Sequence, residues 1–377
     1  MKFIVSSTDL LNHLQVISRV MSNKTTLPIL ENFLFTLEDS TLTLTSSDIA
    51  TTLVTSVQVE NPTGSKGSVA VPSHLLLNAL KEFPEQPLDV DINDSNLAMK
   101  ISSANGTYDF IGQNGDEFPS LPTLAEDAQK IVISTSQLYS GINKTLFCAG
   151  DDELRPVMNG VFFDIKEKLT IVATDAHKLV RFITPYSSTD IAEEGTSFIL
   201  PKKPATTLKT ILTKDGGDVE IVFDKKNARF QLENHTMVCR LVEGKFPNYN
   251  GVIPKENPYK VITDREVLHS ALKRVAVFAN QASSLIKLDF SNNQIHISAQ
   301  DIDFSISAEE TISCQFEGDP IKIGFKSDFL IEMLNNLSSK EIILEMSEPS
   351  RAGLIIPFEN EADEDILMLL MPMLLND

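Results

Sequence analysis

An α+β fold of three tandem modules, each with two helices packed on antiparallel sheets, is what this sequence predicts. Three observations carry that expectation. The same order of elements recurs at a spacing of 124–129 residues, as from Pro201 to Phe325 and from Ser134 to Thr263. Much of the sequence between helices alternates apolar and polar residues with period two, the mark of strands with one buried face. Proline clusters at Gly115–Glu126 and Gly244–Pro258 close the first two thirds, with Phe246-Pro247 falling 128 residues after Phe118-Pro119. A fixed period is read before local structure, because a missed repeat misassigns the whole fold.

Each third opens on an amphipathic helix, expected at Ser7–Ser22, Ser134–Gly150 and Thr263–Asn280. Ser7 or Thr8, the stretch Ser134 to Ser136, and Thr263 are expected as caps, since a hydroxyl accepts from the first free amides of a helix. Paired strands follow and end on an acid: PILENFLFTLEDSTLTLTSSD at Asp48, RPVMNGVFFDIKEKLTIVATD at Asp175 and SSLIKLDFSNNQIHISAQD at Asp301. A second helix then starts near Pro72, Pro201 and Phe325. Further strands, such as Val219-Glu220-Ile221-Val222-Phe223, pair through polar turns like Asp224–Asn227 and Ser291-Asn292-Asn293. Hairpins place such residues between strands. The expected domains are 1–126, 127–254 and 255–377.

A chain of 377 residues exceeds what one core supports, and a third of it is near the common domain size. With 42% hydrophobic and 22% charged residues, every third can bury a core. The start MKFIVSSTDLL lacks the features of a secretory signal. The apolar run Ile366–Leu375 is far short of the roughly 20 residues a bilayer demands. A cytoplasmic protein with no membrane partner is expected. Cys148, Cys239 and Cys314 are scattered, which indicates neither a disulfide framework nor a zinc site.

The formal charge of −20 taken alone argues against nucleic acid. Screening confines that field to about 8–10 Å, so the placement of individual cations decides locally. Basic residues gather on the helices and their flanks, among them Arg19, Lys81, Lys144, Lys209, Lys214, Arg265, Lys273 and Lys340.

Asp175 and His177 have the residue types of an acid–base pair. No nucleophile in a recognisable setting accompanies them, and Asp48 and Asp301 hold the same place in the other copies. The acid therefore belongs to the repeat. Phosphate-cradling loops and metal-ligand spacings are absent from the sequence, so no catalytic residue, cofactor or metal is expected.

Several stretches carry a family resemblance: MKF at the start, Thr26–Leu30, Ala173-Thr174-Asp175-Ala176-His177-Lys178-Leu179, Gly244–Tyr249 and the closing Met371-Pro372-Met373. In this order over three phased repeats, the chain resembles the bacterial DNA polymerase III beta subunit family of sliding clamps along its full length. The resemblance implies a head-to-tail homodimer of three DNA-clamp domains per protomer, closed into a six-domain ring around double-stranded DNA without regard to sequence. It also implies a non-catalytic processivity factor that tethers the DNA polymerase III alpha subunit, the clamp loader and other proteins bearing clamp-binding motifs.

By that resemblance Lys24, His74, Lys81, Arg155, Lys202 and Lys203 face or adjoin DNA. The partner-peptide pocket takes in Met158, Thr174, Ala176, His177, Lys178, Leu179, Pro247, Val252, Leu369, Met371, Pro372 and Met373. Tyr108 and Phe110 meet Val277 and Phe278 across the dimer joint, with Glu309 and Glu310 toward basic residues of the partner. Pro156 and Val157 replace aromatics found in some members. Gly251 and Leu374 stand where a basic residue is frequent, so charge contacts to a peptide are expected to be weaker. Two other readings are a repeat-built enzyme using Asp175 and His177, and a three-domain scaffold that never meets DNA.

Overall fold

The computed structural model describes residues 1–21, 27–188, 195–213 and 216–375. Among them are six α-helices: α1 (Ser7–Ile17), α2 (Ser73–Lys81), α3 (Thr135–Thr145), α4 (Lys202–Leu212), α5 (Arg265–Ala276) and α6 (Ser327–Asn335). All six begin within a few residues of the expected places.

Their ends differ, for local reasons. The Ser18 hydroxyl donates to Gln15 O at 2.9 Å, and α1 gives way to a 3-10 turn at Ser18–Val20 instead of reaching Ser22. The Thr145 hydroxyl takes Gly141 O at 2.6 Å, and α3 likewise passes into a 3-10 turn. Such hydroxyls compete with the helical ladder. The caps also shift. Ser6 accepts from Asp9 N, and Asp264 accepts from Glu266 N and Val267 N, in place of the expected Ser7 or Thr8 and Thr263. Strands that the alternation in KFIVS signalled but the expectation omitted precede these helices, Lys2–Ser6 and Tyr259–Asp264 as well as Gln129–Ser134 before α3, and in α1 and α5 the cap is the strand's last residue.

The chain divides into two compact units. The first comprises Met1–Ser136, Ser187–Asp190 and Thr206–Leu241. Its four-stranded sheet runs Lys2–Ser6, Pro87–Ile92, Ala98–Ser102, Thr107–Ile111. Its nine-stranded sheet runs Gln129–Ser134, Asp218–Phe223, Asn227–Gln231, His235–Arg240, Thr51–Gln58, Thr41–Ser47, Asn32–Glu38, Gly67–Pro72, Gln113–Asn114. Leu10, Leu14 and Ile17 of α1, three and four residues apart, form a fully buried stripe, and α2 adds Leu76 and Leu80.

The second unit comprises Gln137–Tyr186, Ile191–Ala205 and Val242–Asp377. Its nine-stranded sheet runs Thr196–Pro201, Gly160–Ile165, Leu169–Thr174, Lys178–Thr184, Asp365–Leu370, Gly353–Pro357, Glu341–Met346, Tyr259–Asp264, Gln315–Glu317. Its four-stranded sheet runs Ile306–Ser313, Gln294–Asp301, Leu285–Ser291, Ile321–Lys326. The expected turn at Asn292-Asn293 has φ of 50° and 60°, as a two-residue type I′ hairpin requires. Leu268, Leu272 and Val275 of α5 and Leu330, Met333 and Leu334 of α6 are buried.

In each unit one antiparallel ladder joins sequence thirds. His235–Arg240 pairs with Thr51–Gln58, Cys239 standing opposite Thr51. Lys178–Thr184 pairs with Asp365–Leu370, Lys178 standing opposite Leu370. The middle third therefore contributes four strands to the nine-stranded sheet of each unit, which is why the compact units do not follow the repeat.

Candidate functional site

In the second unit, Thr174 ends one strand and Lys178 begins the next, with a tight turn between them. The Asp175 carboxylate accepts from His177 N and Lys178 N, both at 2.9 Å, while the Thr174 hydroxyl donates to Lys178 O and accepts from Ala176 N. Asp48 accepts from Thr51 N at 2.7 Å in the equivalent turn. The acid is a turn-former whose Oδ1 takes both backbone amides, and no hydrogen bond joins its carboxylate to the His177 ring, which leaves the sequence pair Asp175 and His177 without an acid–base geometry. The turn throws Ala176 to φ 76°, a conformation L-residues rarely adopt, and exposes Ala176 and His177.

Leu179 stands opposite Leu369 in the ladder, and both lie in one apolar cluster with Val172, Ile199, Phe246, Tyr249, Ala352 and Leu354. Val157, Val242 and Ile253 pack against it. Met158, Pro247 and Val252 are thus chain neighbours of residues in or against the same cluster. Phe162 stacks on Phe246 with centroids 4.5 Å apart, and the Tyr249 hydroxyl donates to Asp164 at 2.8 Å. Burial, together with that carboxylate, pushes the phenol up to about 12.

The tail follows the strand Asp365–Leu370. Met371 N donates to His177 O at 2.9 Å, and Met373 N to Gly324 O at 2.8 Å. Met371 is 42% and Val252 56% exposed, whereas Thr174, Leu179 and Leu369 are buried. Exposed apolar side chains therefore lie close along the chain to a packed apolar cluster, the composition of a site for an apolar peptide anchor. Pro372 and Met373 are half-buried. Gly324 was not legible in the sequence: a Cβ there would meet Met373 O at 2.9 Å and Leu375 at 2.8 Å.

Lys178 is 5% exposed. Its ammonium donates to Phe147 O, pairs with Glu332, and lies 5.2 Å and 4.9 Å from the centroids of Phe147 and Phe329. Its charge is spent inside the protein, and His177 stacks on the same Phe329. This cage was not legible in the sequence because Phe329 and Glu332 lie more than 150 residues from Lys178.

Among the residues expected to face DNA, His74 and Lys81 are exposed on α2, and Lys203 is exposed in the first turn of α4. Lys24, like Lys214, lies outside the described residues. Lys202 pairs with Asp151 at 2.5 Å, and Arg155 Nε donates to Asp152 at 2.8 Å. The hydrogen bond from Arg155, with that from Leu154 N, holds the Asp152 carboxyl below its usual range.

Among the residues expected at the dimer joint, Tyr108 is 40% exposed and rests edge-on against Phe83, whereas Phe110 is 6% exposed and belongs to the core of its own sheet. Val277 and Phe278 follow α5 and are exposed. Glu310 holds Arg274 of its own chain through both carboxylate oxygens, so its carboxyl lies below the usual range, and Glu309 Oε2 lies 3.8 Å from His296.

Family models of the DNA polymerase III beta subunit match the chain three times, as the N-terminal domain over residues 1–122, the central domain over 132–248 and the C-terminal domain over 250–374. The beta sliding clamp of Pseudomonas putida is 29% identical over 377 residues, covering 99% of this chain and all of that one. The Synechococcus elongatus clamp is 29% identical, covering 95% and 96%. Crystal structures of the clamps of Pseudomonas aeruginosa and Bartonella birtlesii, each bound to griselimycin, superpose over the full length of both chains with TM-score 0.92 at 26% and 28% identity. Three tandem clamp domains, with six helices over antiparallel sheets, are the architecture of a sliding clamp. The chain belongs to the DNA polymerase III beta subunit family, whose members are non-catalytic processivity factors.

Proposed function

We propose that two copies of this chain close head to tail into a ring that encircles duplex DNA and tethers the DNA polymerase III alpha subunit, the clamp loader and other partners through linear peptides. The domains of that ring are 1–126, 127–254 and 255–377. One observation carries the reading. Wherever two thirds meet, a strand of the earlier third's second sheet pairs with the last strand of the later third's first sheet: Thr51–Gln58 with His235–Arg240, and Lys178–Thr184 with Asp365–Leu370. Applied throughout, that rule leaves two outer strands, Thr107–Ile111 and Ile306–Ser313, each at the end of a four-stranded sheet. They are the two halves of a missing third ladder. Open edges invite pairing with another chain, and a heterologous contact that closes makes a ring.

Enclosure explains how a protein of charge −20 holds a polyanion. Topology supplies retention, and the cations at His74, Lys81, Arg155, Lys202 and Lys203 need give only weak, sequence-blind phosphate attraction. The exposed Met371 and Val252, close along the chain to the buried cluster that holds Leu179 and Leu369, support the peptide site. A sedimentation measurement should give a particle near twice the chain's 41.7 kDa. A monomer at all accessible concentrations contradicts the ring, and unchanged capture of a clamp-binding peptide after deletion of 371–377 contradicts the pocket.

A further inference from the structure

Resting on the head-to-tail reading, we infer that the joint between copies has one register, Phe110 opposite the partner's Ile306, and that an apolar spur at Ile302 and Phe304 anchors it. The register comes from the repeat. One residue before the acid of each copy, Ser47 pairs with Thr52, Thr174 with Leu179 and Gln300 with Ser307, so Thr52, Leu179 and Ser307 are equivalent positions. On the opposing strands, Cys239, Leu370 and Phe110 are equivalent, each pairing with the residue that opens the preceding strand or follows it by one: Ala228, Gly353 and Met99. Both ladders that join thirds obey one alignment, Val238 opposite Thr52 and Leu369 opposite Leu179. Carried to the open edges, it sets Asp109 opposite the partner's Ser307, Phe110 opposite the partner's Ile306 and Tyr108 opposite the partner's Ala308.

The spur is where the third copy departs from the other two. Four residues, 48–51 and 175–178, separate the paired positions in copies one and two, whereas six, 301–306, do so in copy three. The enlarged turn lifts Ile302 and Phe304 to 79% and 73% exposure. It is built, not loose: Asp301 accepts from Asp303 N at 3.0 Å and Phe304 N at 3.4 Å, and Asn280 donates to the same carboxylate at 3.2 Å. Asn280 also ties the turn to the segment after α5 that exposes Val277 at 75%. On the other open edge Ile111 is 77% exposed, directly beyond Phe110. Continuing the register past the pair of Phe110 and the partner's Ile306 brings Ile111 alongside the partner's enlarged turn. Two apolar surfaces of one chain, each bare alone, then cover one another, as burial of large side chains favours.

The experiment combines cross-linking with sedimentation, in a Cys314→Ser background that removes the half-buried native thiol. Tyr108→Cys with Ala308→Cys should oxidise to a covalently closed dimer on a denaturing gel, whereas Tyr108→Cys with Thr311→Cys should not. Ile302→Ser and Phe304→Ser should each weaken the dimer at least tenfold, with Phe358→Ser, just past the strand Gly353–Pro357 of the unit's other sheet, unchanged. A dimer that cross-links only through position 311 overturns the register but leaves the ring standing. Unaltered dissociation of both spur variants overturns the anchor. A wild-type chain that never dimerises overturns the head-to-tail reading itself.

Discussion

Ala176 carries backbone strain at the turn beside the tail. Left-handed backbone costs an L-residue roughly 1–2 kcal/mol, and glycine's extra freedom when unfolded returns roughly 0.5–1 kcal/mol of that. Ala176→Gly should therefore stabilise the protein by about 0.5–1 kcal/mol, read as a higher melting temperature; a lower one would mean the methyl makes contacts that outweigh the strain. His269 on α5 predicts a pH effect. Its Nε2 is buried with no hydrogen-bond partner, and burial, helped by Lys273 and Arg265, depresses its pKa below 6.5. As pH falls through 6.5 the unfolded chain takes up the proton before the folded one, so stability should drop on acidification. His269→Leu should show a smaller loss of melting temperature between pH 7 and 5.5; an equal loss would place the acid sensitivity elsewhere. The roles of single residues were the least legible in the sequence. Alternation could not reveal that Lys178 is caged by Phe147, Phe329 and Glu332, because such contacts join distant parts of the chain.

Elements were more legible than their boundaries. Period-two alternation and the repeat located the helices and most strands because burial of one face imposes those patterns. Helix ends depended on single hydroxyls, those of Ser18 and Thr145, and caps depended on unrecognised strands entering each helix. The tail was legible in part. Its apolar run is a strand to Leu370, with Ile366, Met368, Leu369 and Leu370 buried, and beyond that Met373 adds one bridge to the edge strand Ile321–Lys326 through Gly324. Gly324→Ala places a methyl 2.9 Å from Met373 O and from Leu285, contacts closer than a Cβ tolerates. It should displace the tail and reduce affinity for a fluorescent clamp-binding peptide about tenfold while circular dichroism stays unchanged. Unchanged affinity would mean the pocket does not need the tail in this place.

At the scale of the molecule, the threefold repeat was readable from one chain because acids and helix starts recur in phase. The division into two units was not, since it arises from ladders between residues as distant as Thr51 and Cys239. The same ladders define the open edges on which closure rests. In the proposed ring, charge placement then sets the grip on DNA. Asp151 and Asp152 already occupy Lys202 and Arg155, as phosphates would. Asp151→Asn with Asp152→Asn should steepen the salt dependence of DNA association and slow diffusion along the duplex; an unchanged salt slope would mean these cations do not meet phosphate. No described helix is long and apolar enough to cross a membrane.

Retention on DNA with and without free ends tests encirclement most directly. Protein assembled by its clamp loader on nicked circular DNA should co-elute with the circle at high salt and leave within minutes once a restriction enzyme opens it. Equal retention on the linear product would mean that contact, not enclosure, holds the protein to DNA.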